Sequence, residues 1–144
     1  MFKKSETSPY SADTVQFKGS NFKIKELLNP KIGSASNEIF ALFMAIIYEK
    51  MPACILGQFS KLKFVNGSNF KKFKDFFLAE YVSGFVVPAE TFDNVKGRFP
   101  IGFFIWNTQI KDVFKHTESD VYDKKSNFIG IKNCDTVFPK DTKL

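Results

Sequence analysis

The side chains most suited to binding a ligand in this 144-residue chain are the Lys and Arg residues in the middle of the sequence. Exposed Lys and Arg side chains neutralise phosphates, so a cluster of them favours nucleic acid as a partner before a membrane. The formal net charge of +6 and the pI of about 9.3 agree with an anionic partner. We therefore predict that nucleic acid contacts six residues, which are Lys61, Lys63, Lys71, Lys72, Lys96 and Arg98.

The other reactive side chains do not form a catalytic or metal-binding pattern. His116 is the one histidine and lies in a polar stretch, which indicates a solvated loop and not a catalytic base. Glu90 and Asp93 fit a hairpin turn and its approach as well as they fit paired acid–base catalysis. Cys54 and Cys134 lack CxxC or Cys/His spacing, which predicts two reduced thiols in a cytoplasmic protein and no metal site.

Composition divides the chain into three parts. Residues 1–35 are polar and punctuated by Gly and Pro, which predicts an irregular N-terminal arm, with one or two turns of helix over the amphipathic residues 22–28. Residues 36–108 carry the strong apolar patterns and are expected to form the core. Residues 109–144 are expected to be a C-terminal extension, with one more strand over residues 127–132. The longest apolar run, residues 39–48, is about half the length that spans a bilayer, so no transmembrane segment is predicted.

Two helices are predicted in the core. Residues 39–47 are apolar on nearly every side, which favours a helix buried against a sheet. Residues 70–77 place phenylalanines on one face and lysines on the other, the pattern of an amphipathic helix. Lys71, Lys72 and Lys74 can therefore be a solvated helix face as readily as a binding surface, and both interpretations stay open.

Strands are predicted between and after these helices. Residues 53–59, continued by residues 62–65, have the pattern of an interior strand, and residues 81–87 and 99–106 form an apolar pair joined by a Gly-bearing connection. The alternation of predicted strands and helices along the chain indicates an α/β fold with a mostly parallel sheet and helices packed on it. The final two strands are predicted to form an antiparallel terminal hairpin.

Two segments resemble the catalytic domain of N6-adenine DNA methyltransferases from restriction–modification systems. Residues 32–43, IGSASNEIFALF, are similar to the segment after that family's catalytic loop, and residues 91–106, TFDNVKGRFPIGFFIW, are similar to its terminal hairpin. The resemblance covers about residues 30–108, and the hairpin is its most specific part. It implies a partial Rossmann-like methyltransferase sheet, and a DNA-facing position for the loops that carry the predicted cations.

The family's catalytic loop reads Asn/Asp/Ser-Pro-Pro-Tyr/Phe, and the nearest match here is Thr7-Ser8-Pro9-Tyr10. The resemblance assigns stacking on a flipped-out adenine to Tyr10 and the shape of the loop to Pro9. Thr7 and Ser8 depart from the first two positions, where a family Asn or Asp accepts hydrogen bonds from the target amino group. The alternative is an arm that contains an ordinary turn.

The resemblance also implies what this chain lacks. The family's glycine-rich turn, which holds S-adenosylmethionine, precedes the catalytic loop, and the sequence has no GxG. We therefore expect a truncated domain that binds no cofactor or metal alone and cannot methylate DNA by itself. Its uncovered surfaces predict a homo-oligomer or a complementing methyltransferase chain as partner. The alternative function is a non-enzymatic nucleic-acid-binding or self-associating interaction module.

Overall fold

The computed structural model describes residues 23–113 and 115–135, which form an α/β structure with one mixed sheet. The helices are α1 (residues 23–32), α2 (Ile39–Lys50), α3 (Lys63–Asn66) and α4 (Lys71–Phe76). Short 3-10 turns cover Gly33–Asn37, Ser68–Phe70 and Ala89–Thr91. The strands are β1 (Ile55–Lys61), β2 (Glu80–Pro88), β3 (Pro100–Asn107), β4 (His116–Tyr122) and β5 (Phe128–Asp135).

Helix α1 adds to the core, which differs from the irregular arm expected over residues 1–35. Residues 23–32 are helical, and Leu28 and Ile32 belong to the main hydrophobic cluster, with Ile24 packed against it. These three residues are spaced four apart, so they lie on one face of the helix. The remaining positions are polar except Leu27 and Pro30. The amphipathic stretch over residues 22–28 predicted one or two turns of helix, and the helix continues to residue 32.

Helix α2 forms where the apolar run predicts it, but only one side is buried. Ala41 and Met44 are fully buried, whereas Ile39 and Phe43 are 42% and 45% exposed. The helix ends at Lys50, since the next residue precedes Pro52 and proline disfavours helical backbone before it. Within the described part of the chain, no helix has the length and apolar character needed to cross a membrane.

The sheet has the strand order β1-β3-β2-β4-β5. Strand β3 is antiparallel to both β1 and β2, so β1 and β2 run in the same direction on either side of it. Strand β4 pairs parallel to β2 through Phe85–Asp120 and Val86–Val121, and β5 closes an antiparallel hairpin with β4. Three strands therefore run one way and two run the other.

The prediction of a mostly parallel sheet is wrong, because β2–β4 is the one parallel pair among the described strands. The predicted antiparallel pairing of β2 with β3 is confirmed. The difference arises because β3 inserts between β1 and β2 and does not add to an outer edge. The helical crossover joins β1 to β2, so their shared direction matches the prediction although they are not neighbours.

Two predictions for the first strand are also corrected. Strand β1 lies at an edge of the sheet and not in its interior. The expected continuation over residues 62–65 is mostly helical, because α3 begins at Lys63. Leu62 and Phe64 reach the core from this tight turn, with 8% and 0% exposure, so their alternate spacing resembled a strand in the sequence.

The C-terminal extension continues the same sheet. The strand expected over residues 127–132 is β5, and β4, which was not expected, precedes it. Buried Thr117 and Ser119 in β4 face the helix layer, so a polar sequence occupies a core-facing position and gives little apolar signal. Residues 136–144, the end of the predicted extension, lie outside the described residues.

The core lies between the helices and one face of the sheet, here named the helix face. The ring of Phe64 contacts Phe104 and Trp106 at centroid distances of 5.5 and 5.9 Å, and Phe77 contacts Trp106 at 5.6 Å. Edge-to-face pairs of this kind add about 0.5–1.5 kcal/mol each beyond area burial. The alternation in β3 sends Phe104 and Trp106 to the helix face and Phe103 to the opposite, outer face.

Candidate nucleic-acid interface

Strands β1, β2 and β4 all finish at one end of the sheet, here named the carboxyl end. Lys61 is the last residue of β1, and the β2–β3 and β4–β5 connections cross the same end. In open α/β sheets, ligands bind outside the carboxyl ends of strands, because loops there converge from several strands. The carboxyl end is therefore a candidate binding site.

Five exposed cations lie at this end and are here named the basic margin: Lys61, Lys96, Arg98, Lys124 and Lys125. Across residues 23–113 and 115–135, none of the five takes part in an ion pair. The Lys61 ammonium lies 5.5 Å from the centroid of the Phe99 ring, which holds it beside the β2–β3 connection. Exposed cations that take part in no ion pair can each bind a phosphate without losing an internal carboxylate partner.

The β4–β5 turn holds Lys124 and Lys125 in a defined loop. Asp123 Oδ1 accepts hydrogen bonds from the backbone N–H groups of Lys125 (2.8 Å) and Asn127 (2.9 Å), and Oδ2 accepts one from Asn127 Nδ2 (3.0 Å). The Asn127 side-chain bond, then its backbone bond, lowers the pKa of Asp123 below its ordinary value. Ser126 adopts a left-handed φ of 66° that closes the turn.

The structure brings together only half of the six predicted cations. Lys61, Lys96 and Arg98 belong to the basic margin, whereas Lys63 lies 3.4 Å from the Glu38 carboxylate and is partly neutralised by it. Lys71 and Lys72 are the first two residues of α4, so they belong to the helix layer and not to a strand end or strand connection.

Lys74 differs most from its expected position on a solvated helix face. It is 7% exposed, and burial lowers the pKa of its amine. Residue 74 is four positions after Phe70 and three before Phe77, so it lies beside these buried rings on the helix surface. The prediction that grouped Lys74 with the solvated Lys71 and Lys72 is therefore wrong for Lys74.

Sequence reasoning missed Lys124 and Lys125. The signal was present as an adjacent basic pair inside Asp123-Lys124-Lys125-Ser126-Asn127, a composition typical of a tight turn. Because β4 was not predicted, this turn could not be recognised as the connection of a β-hairpin in the sheet. The two lysines therefore could not be assigned to the same end as Lys61.

The outer face of the sheet carries a continuous series of aromatic rings, here named the aromatic row. Its members, in strand order, are Phe59, Phe103, Phe85, Tyr122 and Phe128. Their successive centroid distances are 4.8, 5.5, 6.3 and 5.9 Å. Phe59 and Phe128 are 46% and 56% exposed, so the two ends of the row are open to solvent. The row runs beside the basic margin, because Phe59 is two residues before Lys61 in β1.

A shallow depression of about 320 Å³ lies at the opposite end of the sheet, lined by Tyr81, Asp112, Val113, Lys115 and His116. The Tyr81 hydroxyl donates to the Glu118 carbonyl (2.8 Å) and is also 2.8 Å from Ser119 Oγ. Burial raises the pKa of Tyr81. These contacts give Tyr81 a structural role joining β2 to β4.

His116 begins β4 and is not in the expected loop. Its Nδ1 lies 2.6 Å from Asp135 Oδ1, and both side chains are more than half exposed. This exposed pair joins the first residue of β4 to the last residue of β5, which are partners in the sheet. The hydroxyl-bearing residues Thr117 and Ser119 of β4 are 1% and 3% exposed, so substrate cannot reach either oxygen as a nucleophile.

The remaining predictions concern catalysis and cofactors. In the described portion, no group of three or more His, Cys, Asp or Glu side chains is placed to hold a metal ion. Cys54 and Cys134 are free thiols. Pro9 and Tyr10, the predicted catalytic-loop residues, lie outside the described residues.

Comparison with known proteins found no match. No protein-family model, no curated protein and no solved structure is significantly similar to the chain.

Proposed function

We propose that the chain is a DNA-contacting part of an N6-adenine DNA methyltransferase-like domain, whose basic margin lies against the phosphates. The observation that carries the proposal is the basic margin of five exposed cations where β1, β2 and β4 end. The antiparallel β2–β3 hairpin and the helical crossover from β1 to β2 agree with the methyltransferase resemblance. In this proposal, a partner chain supplies the S-adenosylmethionine site that methyl transfer needs.

The phosphate contact follows from charge and exposure. Each exposed Lys or Arg that meets a phosphate releases condensed counterions, so affinity falls as salt rises. Such contacts position the protein on DNA but do not read bases. We therefore expect binding that depends steeply on salt and weakly on duplex sequence.

The test is fluorescence anisotropy with a labelled duplex at a series of salt concentrations. Lys61→Ala with Arg98→Ala removes two margin cations and is expected to reduce the slope of log affinity against log salt by about 1.8, since each neutralised phosphate contributes about 0.9. Lys71→Ala with Lys72→Ala is the matched control, because it makes the same charge change in the helix layer.

The control should leave the slope nearly unchanged. Equal losses in the two double variants would mean that net charge alone drives binding and that the margin is not a site. Failure of the unmodified chain to bind duplex or single-stranded DNA at low salt would refute the proposed function.

The methyltransferase part of the proposal has its own test. Calorimetric titration with S-adenosylmethionine and a methyl-transfer assay on adenine-containing DNA are both expected to be negative for the chain alone. Micromolar cofactor binding would show that this chain builds a cofactor site by itself. That result would refute the proposal that a partner chain supplies the S-adenosylmethionine site.

The second candidate is a non-enzymatic nucleic-acid-binding or self-associating module. The exposed ends of the aromatic row, and apolar residues at both sheet edges such as Ile55 (64% exposed) and Ile129 (63% exposed), favour it. Exposed apolar surface of this kind is usually buried by a partner or by a second copy. Light scattering on a sizing column separates a dimer from a monomer, and DNA binding is then measured on each.

A further inference from the structure

We infer that the aromatic row binds the unpaired bases of a single-stranded nucleic acid, whose phosphates follow the basic margin. This inference rests on the nucleic-acid contact proposed above and adds the class of nucleic acid. The five rings occupy all five strands, in the order β1, β3, β2, β4 and β5, on the face opposite the helices.

The spacing of the rings is what suits stacking. Phe103 and Phe85 are nearly parallel, at 26°, and the other three successive pairs are tilted or edge-to-face, at 57°, 84° and 71°. Neighbouring centroids lie 4.8–6.3 Å apart, so rings on adjacent strands can be reached by successive bases. A base offers a flat π surface whatever its identity, which makes stacking tolerant of sequence.

The charges around the row give the strand an orientation. The basic margin lies along the side of the row that is nearer the carboxyl end of the sheet. Lys124 and Lys125 follow Tyr122 closely in the chain. Asp120 is paired with Phe85 across β2 and β4, so its carboxylate lies on the outer face, further from the margin, and Glu118 lies further still. Phosphates are therefore attracted to the margin and repelled from the interior of the face, which leaves the bases directed onto the rings.

The same geometry selects against duplex. In a duplex the faces of the bases are covered by neighbouring base pairs, and rings lying across a sheet cannot enter that stack. A single strand exposes both its base faces and its phosphates to the same surface. Single-stranded DNA is therefore expected to bind about tenfold or more tightly than a duplex of the same sequence at equal salt.

The experiment uses the full chain and a labelled 15-nucleotide single strand, with its duplex as comparison. Tyr122→Leu with Phe128→Leu keeps apolar bulk but removes two π faces, and is expected to weaken single-strand binding about tenfold with an unchanged salt slope. Tyr122→Phe with Phe128→Tyr keeps both rings and should retain the affinity of the unmodified chain. Ile55→Ala, on the same face but at the opposite end of β1, is the control for loss of apolar surface.

Thermal unfolding of each variant verifies that the fold is intact. Equal binding of duplex and single strand, with no effect of the leucine pair, would overturn this inference while the proposed phosphate contact stands. Failure of the unmodified chain to bind any nucleic acid would overturn both. If the outer face instead joins two copies of the chain, the leucine pair would change the mass in light scattering and not the affinity for DNA, which also overturns the inference.

Discussion

At the residue scale, Thr108, just after β3, is hydrogen-bonded to Cys54, just before the neighbouring strand β1. Its hydroxyl donates to the Cys54 carbonyl (3.0 Å) and accepts from the Cys54 backbone N–H (2.9 Å), and its own N–H donates to the same carbonyl (2.9 Å). Thr108 is fully buried. Because this buried hydroxyl both donates and accepts a hydrogen bond, it fixes the position of the segment that leads into β1.

Thr108→Val is expected to destabilise the protein by about 1–3 kcal/mol, because it keeps the shape but leaves the Cys54 N–H buried without an acceptor. Denaturant unfolding measures the change. Thr108→Ser keeps the hydroxyl and should recover most of the stability. A valine variant as stable as the serine variant would show that the hydroxyl bonds contribute little.

At the scale of elements, the β4–β5 hairpin has a short connection to the rest of the sheet and an ordered turn at its tip. Strand β4 is polar and pairs with β2 over only two residue positions, Phe85–Asp120 and Val86–Val121. The Asp123 carboxylate organises the turn by accepting three hydrogen bonds. This turn presents Lys124 and Lys125, so its order bears on the basic margin.

Asp123→Ala is expected to accelerate hydrogen exchange of the Lys125 and Asn127 amides at neutral pH, relative to their intrinsic rates. The folded-state pKa of Asp123 is lowered, so its stabilising effect is present above the unfolded pKa of 3.8 and is lost as pH falls through the folded value. In the unmodified chain, these two amides should therefore lose protection in acid below pH 3.8.

Asp75→Ala, in the exposed part of α4, is the control and should leave both amides protected. Equal exchange rates in the Asp123→Ala variant and the unmodified chain would show that the backbone alone holds the turn. The NMR titration of the Asp123 carboxyl should have its midpoint below 3.8.

At the scale of the whole molecule, the two faces of the sheet carry different kinds of aromatic contact. On the helix face, Phe64 is fully buried and touches the rings of Phe40, Phe73, Phe104 and Trp106. On the outer face, Phe59 touches neighbouring rings but remains 46% exposed. The first set forms a core, and the second is a surface.

Phe64→Ala is expected to cost about 3–5 kcal/mol, because it removes a large side chain from a site that cannot collapse around the loss. Phe59→Ala is expected to cost about 1 kcal/mol, since roughly half of that ring is already in water. Chemical denaturation of the two variants measures the difference. Equal losses would mean that the outer face is covered in solution, by a second copy or by another chain.

The sequence by itself determined the elements with strong periodicity. Apolar runs joined by a Gly-bearing connection located β2 and β3 and their antiparallel pairing, and phenylalanines at helical spacing located α4. The α/β class and the placement of Trp106 in a strongly apolar strand followed from the same patterns. A period reports which side of an element is apolar, and that information is local.

Only the tertiary structure decided which strands are neighbours. Insertion of β3 between β1 and β2 made the sheet mixed, and a polar β4 joined it through buried Thr117 and Ser119. These choices rest on contacts between residues far apart in the chain, which no local pattern records. The basic margin and the aromatic row follow from them, since strand order alone brings Lys124 to the end of the sheet that holds Lys61.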